Sequence, residues 1–179
     1  MTRAGSLAVL SVVVSLCGCA AGGPAASKPA PAAAAARALP ADLDLLAGPL
    51  WRGTLTYLDY QSGKPVSIKS NLLFTRLPGD EPRWEQRLGY DDEPHANNGD
   101  TVALAEGGRL LDGEVVTERE ALPGGGVRLV TETDGADDEK PARIRHVYTL
   151  GASAASLQKL VRFAGSAEFL ERNVYRWTR

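Results

Sequence analysis

The chain has 179 residues, 44% of them hydrophobic and 23% charged, and its formal net charge is −2. This near balance of charge lacks the global basic excess that is typical of nucleic-acid-binding domains. Its two cysteines, Cys17 and Cys19, both lie at the start of the chain. The rest of the chain therefore has no thiol for a disulfide, a cysteine metal site or thiol catalysis.

The first nineteen residues have the pattern of a secretory signal. Arg3 precedes an apolar run over Leu7–Leu16, and small residues follow that run. The run is shorter than the ~20 residues that a membrane-spanning helix needs, so we expect cleavage and not an uncleaved anchor. Residues 16–19, Leu-Cys-Gly-Cys, resemble the lipobox of bacterial lipoproteins. This resemblance implies attachment of palmitate to Cys19 and, because Ala20 follows, an outer-membrane location facing the periplasm.

Three parts of the chain are predicted. Residues 1–18 form the signal peptide, and residues 19–39, rich in alanine and proline, form the lipidated cysteine and a flexible tether. Residues 40–179 form one domain, which is long enough to bury a core of its own. Its charge is unevenly distributed, with acidic residues in excess over 80–139 and basic residues in excess over 140–179. We expect these two parts to be neighbours whose charges complement each other.

Alternation of apolar and polar residues with a period of two predicts the fold class of this domain. About eight or nine strands follow one another, separated by short glycine-rich turns and by no long helix. This order favours an antiparallel up-and-down β-barrel, closed by pairing of the first strand (Trp51–Tyr60) with the last (Leu170–Thr178). Two sandwiched sheets are the alternative. The segment Ala152–Phe163 also fits helical spacing, so it could begin as a helical turn.

Two segments of the domain carry a family resemblance. Residues 48–53, Gly-Pro-Leu-Trp-Arg-Gly, and residues 172–177, Arg-Asn-Val-Tyr-Arg-Trp, resemble the first and last strands of lipocalin-like (calycin) barrels. Residues 58–65 and 140–145 are similar to segments of small, uncharacterised bacterial barrel-like proteins. The resemblance implies a barrel whose interior can hold a small hydrophobic or amphipathic ligand.

The inward faces of the predicted strands include an unusual number of polar side chains. Buried tyrosines need hydrogen-bond partners, so such a set indicates either a self-satisfied core network or a site for an amphipathic ligand. We take the ligand site as the preferred hypothesis. Its predicted residues are Tyr57, Gln86, Tyr90, His146, Tyr148, Asn173 and Tyr175.

The sequence gives little support for catalysis, and no enzyme activity, cofactor or metal is expected. Neither a serine-hydrolase nor a metalloprotease motif occurs, and a hydrolase is a minor alternative. His95 follows the acidic residues Asp91–Glu93, which could bind a cation but more often form an exposed loop. Asp134–Glu139 is predicted to be a charged hairpin turn.

The preferred function is that of a lipid-anchored envelope protein that binds a small amphipathic or hydrophobic ligand in the barrel interior. The alternative is a non-catalytic envelope lipoprotein that acts through a surface contact with another protein. The expected partners are the membrane, through the lipid on Cys19, and the small ligand. No nucleic-acid partner is expected.

Overall fold

A computed structural model describes residues 35–179 as an antiparallel β-barrel. Each strand pairs with the next along the chain, and β1 pairs with β10 to close the barrel. The all-β up-and-down barrel is thus confirmed, and the two-sheet alternative is wrong. The strands are β1 (Trp51–Asp59), β2 (Lys64–Arg76), β3 (Arg83–Gly89), β4 (Asn98–Ala105), β5 (Leu110–Leu111), β6 (Glu114–Ala121), β7 (Val127–Asp137), β8 (Lys140–Leu150), β9 (Ala154–Phe163) and β10 (Leu170–Thr178).

The closing pair of strands is the one that the sequence predicts. Gly53 of β1 lies opposite Trp177 of β10, and Leu55 lies opposite Tyr175. A side chain on Gly53 would overlap the carbonyl oxygen of Arg176, so the two strands approach each other at a point that only glycine allows. The barrel is closed by this backbone contact as well as by hydrogen bonds.

One short helix, α1 (Pro40–Asp44), covers one end of the barrel. It begins at a proline, whose missing N–H costs nothing at the first helical position. Leu43 and, just after the helix, Leu46 are buried in the core. The indole of Trp51 donates a 2.8 Å hydrogen bond to the carbonyl of Leu46, which fixes the segment to β1. We call this end the plugged end.

The large apolar side chains are concentrated at the plugged end. Three tryptophans, one from each of β1, β3 and β10, pack there with the leucines of α1 and of the adjoining strands. The principal buried members are Leu43, Leu46, Trp51, Leu72, Phe74, Trp84, Leu111, Leu129, Leu150 and Trp177. The inward residues of the other half, such as Tyr57 and Ile68, are only partly buried. The barrel therefore has a packed end and a more accessible end.

The hairpin of β5 and β6 is too short to complete the wall of the barrel. β4 pairs with β5 only through its last two residues, and β6 pairs with β7 only as far as Glu132. The turn of this hairpin, Asp112–Gly113, lies between them. Residues 98–102 of β4 and 133–137 of β7 have no strand partner on this side. We call this break in the wall the side gap. The two-residue β5 is also why ten strands are seen where eight or nine are predicted.

Two local predictions differ from the structure. The possible helical turn over Ala152–Phe163 is wrong, because β9 runs from Ala154 to Phe163 and places Leu157 and Val161 towards the core. The charged turn predicted over Asp134–Glu139 is confined to Asp138–Glu139, both with positive φ. The residues before it extend β7, and Asp137 is buried.

The described part of the chain begins before the predicted domain boundary. Arg37 donates hydrogen bonds to the carbonyls of Glu106 and Gly107, both at 3.1 Å. Ala38 is buried, and its N–H donates to the carbonyl of Gly108. Residues 37 and 38 therefore pack on the barrel. The predicted signal peptide, Cys19 and the tether as far as residue 34 lie outside the described residues.

Candidate functional site

A cavity of about 170 Å³ lies inside the barrel, directly above the residues of the plugged end. Leu43 and Leu46 form its floor, and Phe74, Leu157 and Trp177 contribute apolar walls. The ring of Trp177 is held by stacking on Tyr175, at 4.8 Å between ring centroids. The remaining side is polar and lies where the β5–β6 hairpin ends. We call this space the central cavity.

The polar side of the central cavity is organised around Glu114 and His146. Nδ1 of His146 lies 2.8 Å from Oε2 of Glu114, and the hydroxyl of Thr131 donates to the same oxygen at 2.5 Å. Burial raises the pKa of the Glu114 carboxyl, but these two hydrogen bonds outweigh burial and the pKa is lowered. Glu114 is therefore ionised, and Nδ1 of His146 is the protonated nitrogen of that contact. The Nε2 atom of the imidazole remains available to the cavity.

The strand pairing explains why these three side chains meet. Thr131 lies opposite His146 in the β7–β8 pair and opposite Val116 in the β6–β7 pair. Directly opposed residues of an antiparallel pair project from the same face of the sheet. A bulge between Val116 and Glu118 shifts the register of β6. The first residue of β6, Glu114, reaches inward across the end of the hairpin.

Asp112 also lines the central cavity, but it differs from Glu114 in being exposed to solvent and in having no protein partner. Over residues 35–179 its carboxylate accepts no hydrogen bond and makes no ion pair. It lies in the β5–β6 turn at φ +52°, a left-handed conformation that aspartate and asparagine tolerate better than most residues. Partial burial raises the pKa of its carboxyl, and the nearby charges of Asp100 and Glu114 raise it further.

A second polar cluster closes part of the accessible end. Lys159 Nζ lies 2.6 Å from Asp137 Oδ1, and the hydroxyl of Tyr60 donates to Asp137 Oδ2 at 2.7 Å. Arg172 stacks over the ring of Tyr60, 3.9 Å from its centroid, and bonds the carbonyl of Leu58. Burial and the bond to Asp137 raise the pKa of Tyr60 to about 12. This cluster satisfies its own charges and is structural.

The structure brings together three of the seven residues predicted to form the ligand site. Gln86, His146 and Tyr148 line the central cavity. Burial raises the pKa of the Tyr148 phenol, with further contributions from Glu114 and Asp112. The side-chain amide of Gln86 has no hydrogen-bond partner among the described residues, so it is available to a ligand.

The other four predicted residues lie outside the lining of the central cavity. The hydroxyls of Tyr90 and Tyr175 form a 2.7 Å hydrogen bond with each other. Burial and this hydrogen bond raise the pKa of Tyr175. Tyr57 and Asn173 are cross-strand partners in the closing β1–β10 pair. These four residues extend the polar interior from the cavity towards the accessible end.

Two residues of the site, Asp112 and Glu114, were not predicted from the sequence. They flank Gly113 in an acidic, turn-forming stretch, and such stretches are usually exposed. The hairpin is short, so Asp112 lines the cavity although the turn itself is exposed. One feature of the sequence indicates that the hairpin is short: only two apolar residues, Leu110–Leu111, precede the turn.

The candidate cation loop stays at the surface. His95 lies in a short 3₁₀ turn over Pro94–Ala96 and is exposed. Asp91 accepts a hydrogen bond from the amide of Asn71, and Asp92 accepts one from the backbone N–H of Lys69. In residues 35–179 no group of three or more His, Cys, Asp or Glu side chains is arranged to hold a metal ion. The described helices include none of the length and hydrophobicity that a membrane span requires.

Comparison with known proteins shows likeness at the level of the fold. No family model and no curated protein sequence matches the chain. Among solved structures, the chain is similar to the crystal structure of Rv2717c from M. tuberculosis, with a TM-score of 0.52 and 13% identity. The match covers 76% of this chain and 94% of that one. At this identity the likeness shows a shared small-barrel architecture.

Proposed function

We propose that this protein binds a small amphipathic ligand in the central cavity of its barrel. One observation carries the proposal: a cavity inside the barrel combines apolar walls with the polar side chains of Gln86, Asp112, Glu114, His146 and Tyr148. Ligand pockets combine apolar walls with a few converging polar groups in this way.

The size of the central cavity limits the ligand. At about 170 Å³ it is smaller than most pockets for drug-sized ligands, which measure roughly 300–1,000 Å³. It is close to the roughly 150 Å³ of an engineered protein cavity that binds benzene. A ligand the size of one substituted six-membered ring fits this space. The proposed role is binding, and the Thr131 hydroxyl that contacts the Glu114–His146 pair is fully buried and donates to Glu114.

A ligand-observed NMR titration of the full chain tests the proposal. Benzyl alcohol, benzylamine and benzoate serve as ring-sized probes, and Leu157→Trp fills the cavity from β9. Leu160→Trp is the matched control, because Leu160 pairs with Glu171 and Arg145 on the outer face of the same strand. We expect at least one probe to bind the unmodified chain and the control but not Leu157→Trp. Binding of every probe equally to both variants, or of none to the unmodified chain, contradicts the proposal.

We further propose that a lipid on Cys19 holds the barrel at the bacterial envelope, in the periplasm. The support is the sequence pattern of residues 1–20, with an apolar run, small residues and a cysteine followed by Ala20. Several acyl chains on one residue give lasting attachment, at about 0.8 kcal/mol per buried CH₂. The proposed orientation is towards the periplasm from the outer membrane.

Replacement of the acceptor thiol tests this anchoring. Cys19→Ala removes the acceptor, so we expect loss of palmitate labelling and a move from the detergent phase to the aqueous phase. Cys17→Ala leaves Cys19 in place and is the matched control. Equal labelling of Cys19→Ala and the unmodified chain would refute the proposed anchor.

A further inference from the structure

The polar side of the central cavity has an excess of negative charge. The carboxylates of Asp112 and Glu114 both line the cavity, and His146 is the one basic side chain among the lining residues. Even with its imidazole doubly protonated, His146 offsets only one of these two charges. With Nδ1 bonded to Glu114, a neutral His146 presents Nε2 as a further acceptor.

The charges beyond the lining do not remove this excess. Asp100 on β4 lies opposite Gln86 and adds a further negative charge near Asp112. The positive charge of Lys159 on β9 acts on Glu114, but its ammonium is paired with Asp137. Glu114 is satisfied by Thr131 and His146, which leaves the Asp112 carboxylate as the exposed lining charge that has no ion-pair partner among residues 35–179.

The apolar walls of the cavity are independent evidence for the chemistry of the uncharged part of the ligand. Trp177 and Phe74 present aromatic rings to the same space that Asp112 enters. Rings of this kind attract organic cations as well as apolar groups. A ligand with an apolar body and a positively charged, hydrogen-donating end complements both sides. An anionic ligand would be repelled by the two carboxylates.

We propose that the ligand of the central cavity is a small organic cation, a protonated amine on an apolar body about one ring in size, with Asp112 as its counter-ion. This inference rests on the proposed ligand-binding function and specifies its chemistry. The ammonium donates to the Asp112 carboxylate and to Gln86. The ring lies against Trp177, Phe74 and the leucines of the floor. The side gap above the Asp112–Gly113 turn gives the charged end access to solvent.

Three probes of similar size separate the charge preference from binding itself. Benzylammonium, benzyl alcohol and benzoate are titrated into the full chain at neutral pH. We expect benzylammonium to bind at least about tenfold more tightly than benzyl alcohol, a gain equivalent to one charge-assisted hydrogen bond. Benzoate should bind most weakly. Equal or tighter binding of benzyl alcohol overturns the cation proposal but keeps the ligand cavity, whereas failure of all three overturns both.

Removal of the charge at position 112 tests the assigned counter-ion. Asp112→Asn keeps the size and tolerates the positive φ, so it should fold normally. We expect it to reduce benzylammonium affinity about tenfold or more and leave benzyl alcohol unchanged. Asp138→Asn is the matched control, because Asp138 is an exposed turn aspartate with φ +50°. An equal loss in both variants, or none in either, overturns the assignment.

The pH dependence supplies a second readout. Because Asp112 must be ionised to pair with the ammonium, benzylammonium affinity should fall as the pH is lowered from about 7 to about 4. The titratable groups facing the site from the packed elements are Asp100, Glu114, His146, Tyr148 and Lys159. The Asp112→Asn variant should lose most of this dependence. An unchanged pH profile in that variant assigns the dependence to another of these groups and overturns the role of Asp112.

Discussion

Asp42 and Asp112 are two aspartates near the central cavity whose surroundings give them opposite roles. Asp42 is almost fully buried and accepts hydrogen bonds from the Leu39 N–H and from two nitrogens of Arg119, at 2.7–2.9 Å. This bidentate pair fixes α1 to β6. Asp112 has no such partner among the described residues, so its charge is available to a ligand. Each lies next to leucines and has a second acidic residue two positions later, so only the packing distinguishes them.

Removal of the Asp42 carboxylate should destabilise the protein. Asp42→Ala leaves Arg119 without its partner and frees the start of α1, so we expect a loss of about 2–4 kcal/mol in the free energy of unfolding. Glu118→Ala, which breaks the exposed pair of Glu118 with Arg128, is the neighbouring control and should cost under about 1 kcal/mol. Urea melts of both variants measure the difference. Similar midpoints for the two variants would contradict the role given to Asp42.

Much of the strand order was predictable because period-two alternation is a direct consequence of strand geometry. β1 and β2 alternate most clearly, since each has one face towards the core, whereas Val174 on the outer face of β10 is also buried. β9 was ambiguous because both of its faces are partly buried. Leu157 points inward and Leu160 points outward. Both are apolar, because neighbouring long side chains cover the outer face as well. A pattern of burial on two faces cannot be separated from a helical one by spacing alone.

The site was predictable only in part, for a different physical reason. Gln86, His146 and Tyr148 lie on long strands, where alternation shows which face is inward. Asp112 and Glu114 lie at the end of a hairpin whose length is set by its partners. The depth to which that hairpin reaches depends on the register of β4 and β7, which the local sequence does not encode.

The close contact of β1 with β10 predicts that a side chain at Gly53 will destabilise the protein. Gly53→Ala would place a methyl group against the backbone carbonyl of Arg176, which cannot move without breaking the pair. We expect a loss of about 3 kcal/mol, at the upper end of overpacking costs. Gly89→Ala, where the nearest atom is 3.9 Å from the added carbon, is the control and should be nearly neutral. Indistinguishable thermal midpoints for the two variants would contradict this closure.

Across the whole molecule, the uneven charge of the sequence is resolved by neighbouring strands. Glu132 on the acidic β7 pairs with Arg143 and Arg145 on the basic β8. Asp137 on β7 pairs with Lys159 on β9. The predicted complementarity of the two parts is confirmed at these contacts. The pairs join β7, β8 and β9 into one electrostatically linked section of the wall.

This charge arrangement predicts the response of the whole protein to acid. Burial raises the pKa values of Glu114, Glu132 and Asp137, but their hydrogen bonds and ion pairs outweigh it and each pKa is lowered. A lowered folded-state pKa gives stability that is present above the unfolded value, about 4, and is lost as the pH falls through the folded value. We expect the thermal midpoint to fall below about pH 4, and less steeply in Asp137→Asn. A midpoint that is constant down to pH 2 would contradict this.

A crystal structure of the full chain with benzylammonium tests whether the central cavity binds a ring-sized amphipathic cation. We expect the ring between Trp177, Phe74 and Leu157, with the ammonium within hydrogen-bond distance, about 2.7–2.9 Å, of the Asp112 carboxylate. A cavity that stays without the ring at saturating benzylammonium, or a ring bound with its ammonium directed away from Asp112, would show that the cavity is not a site for such a cation.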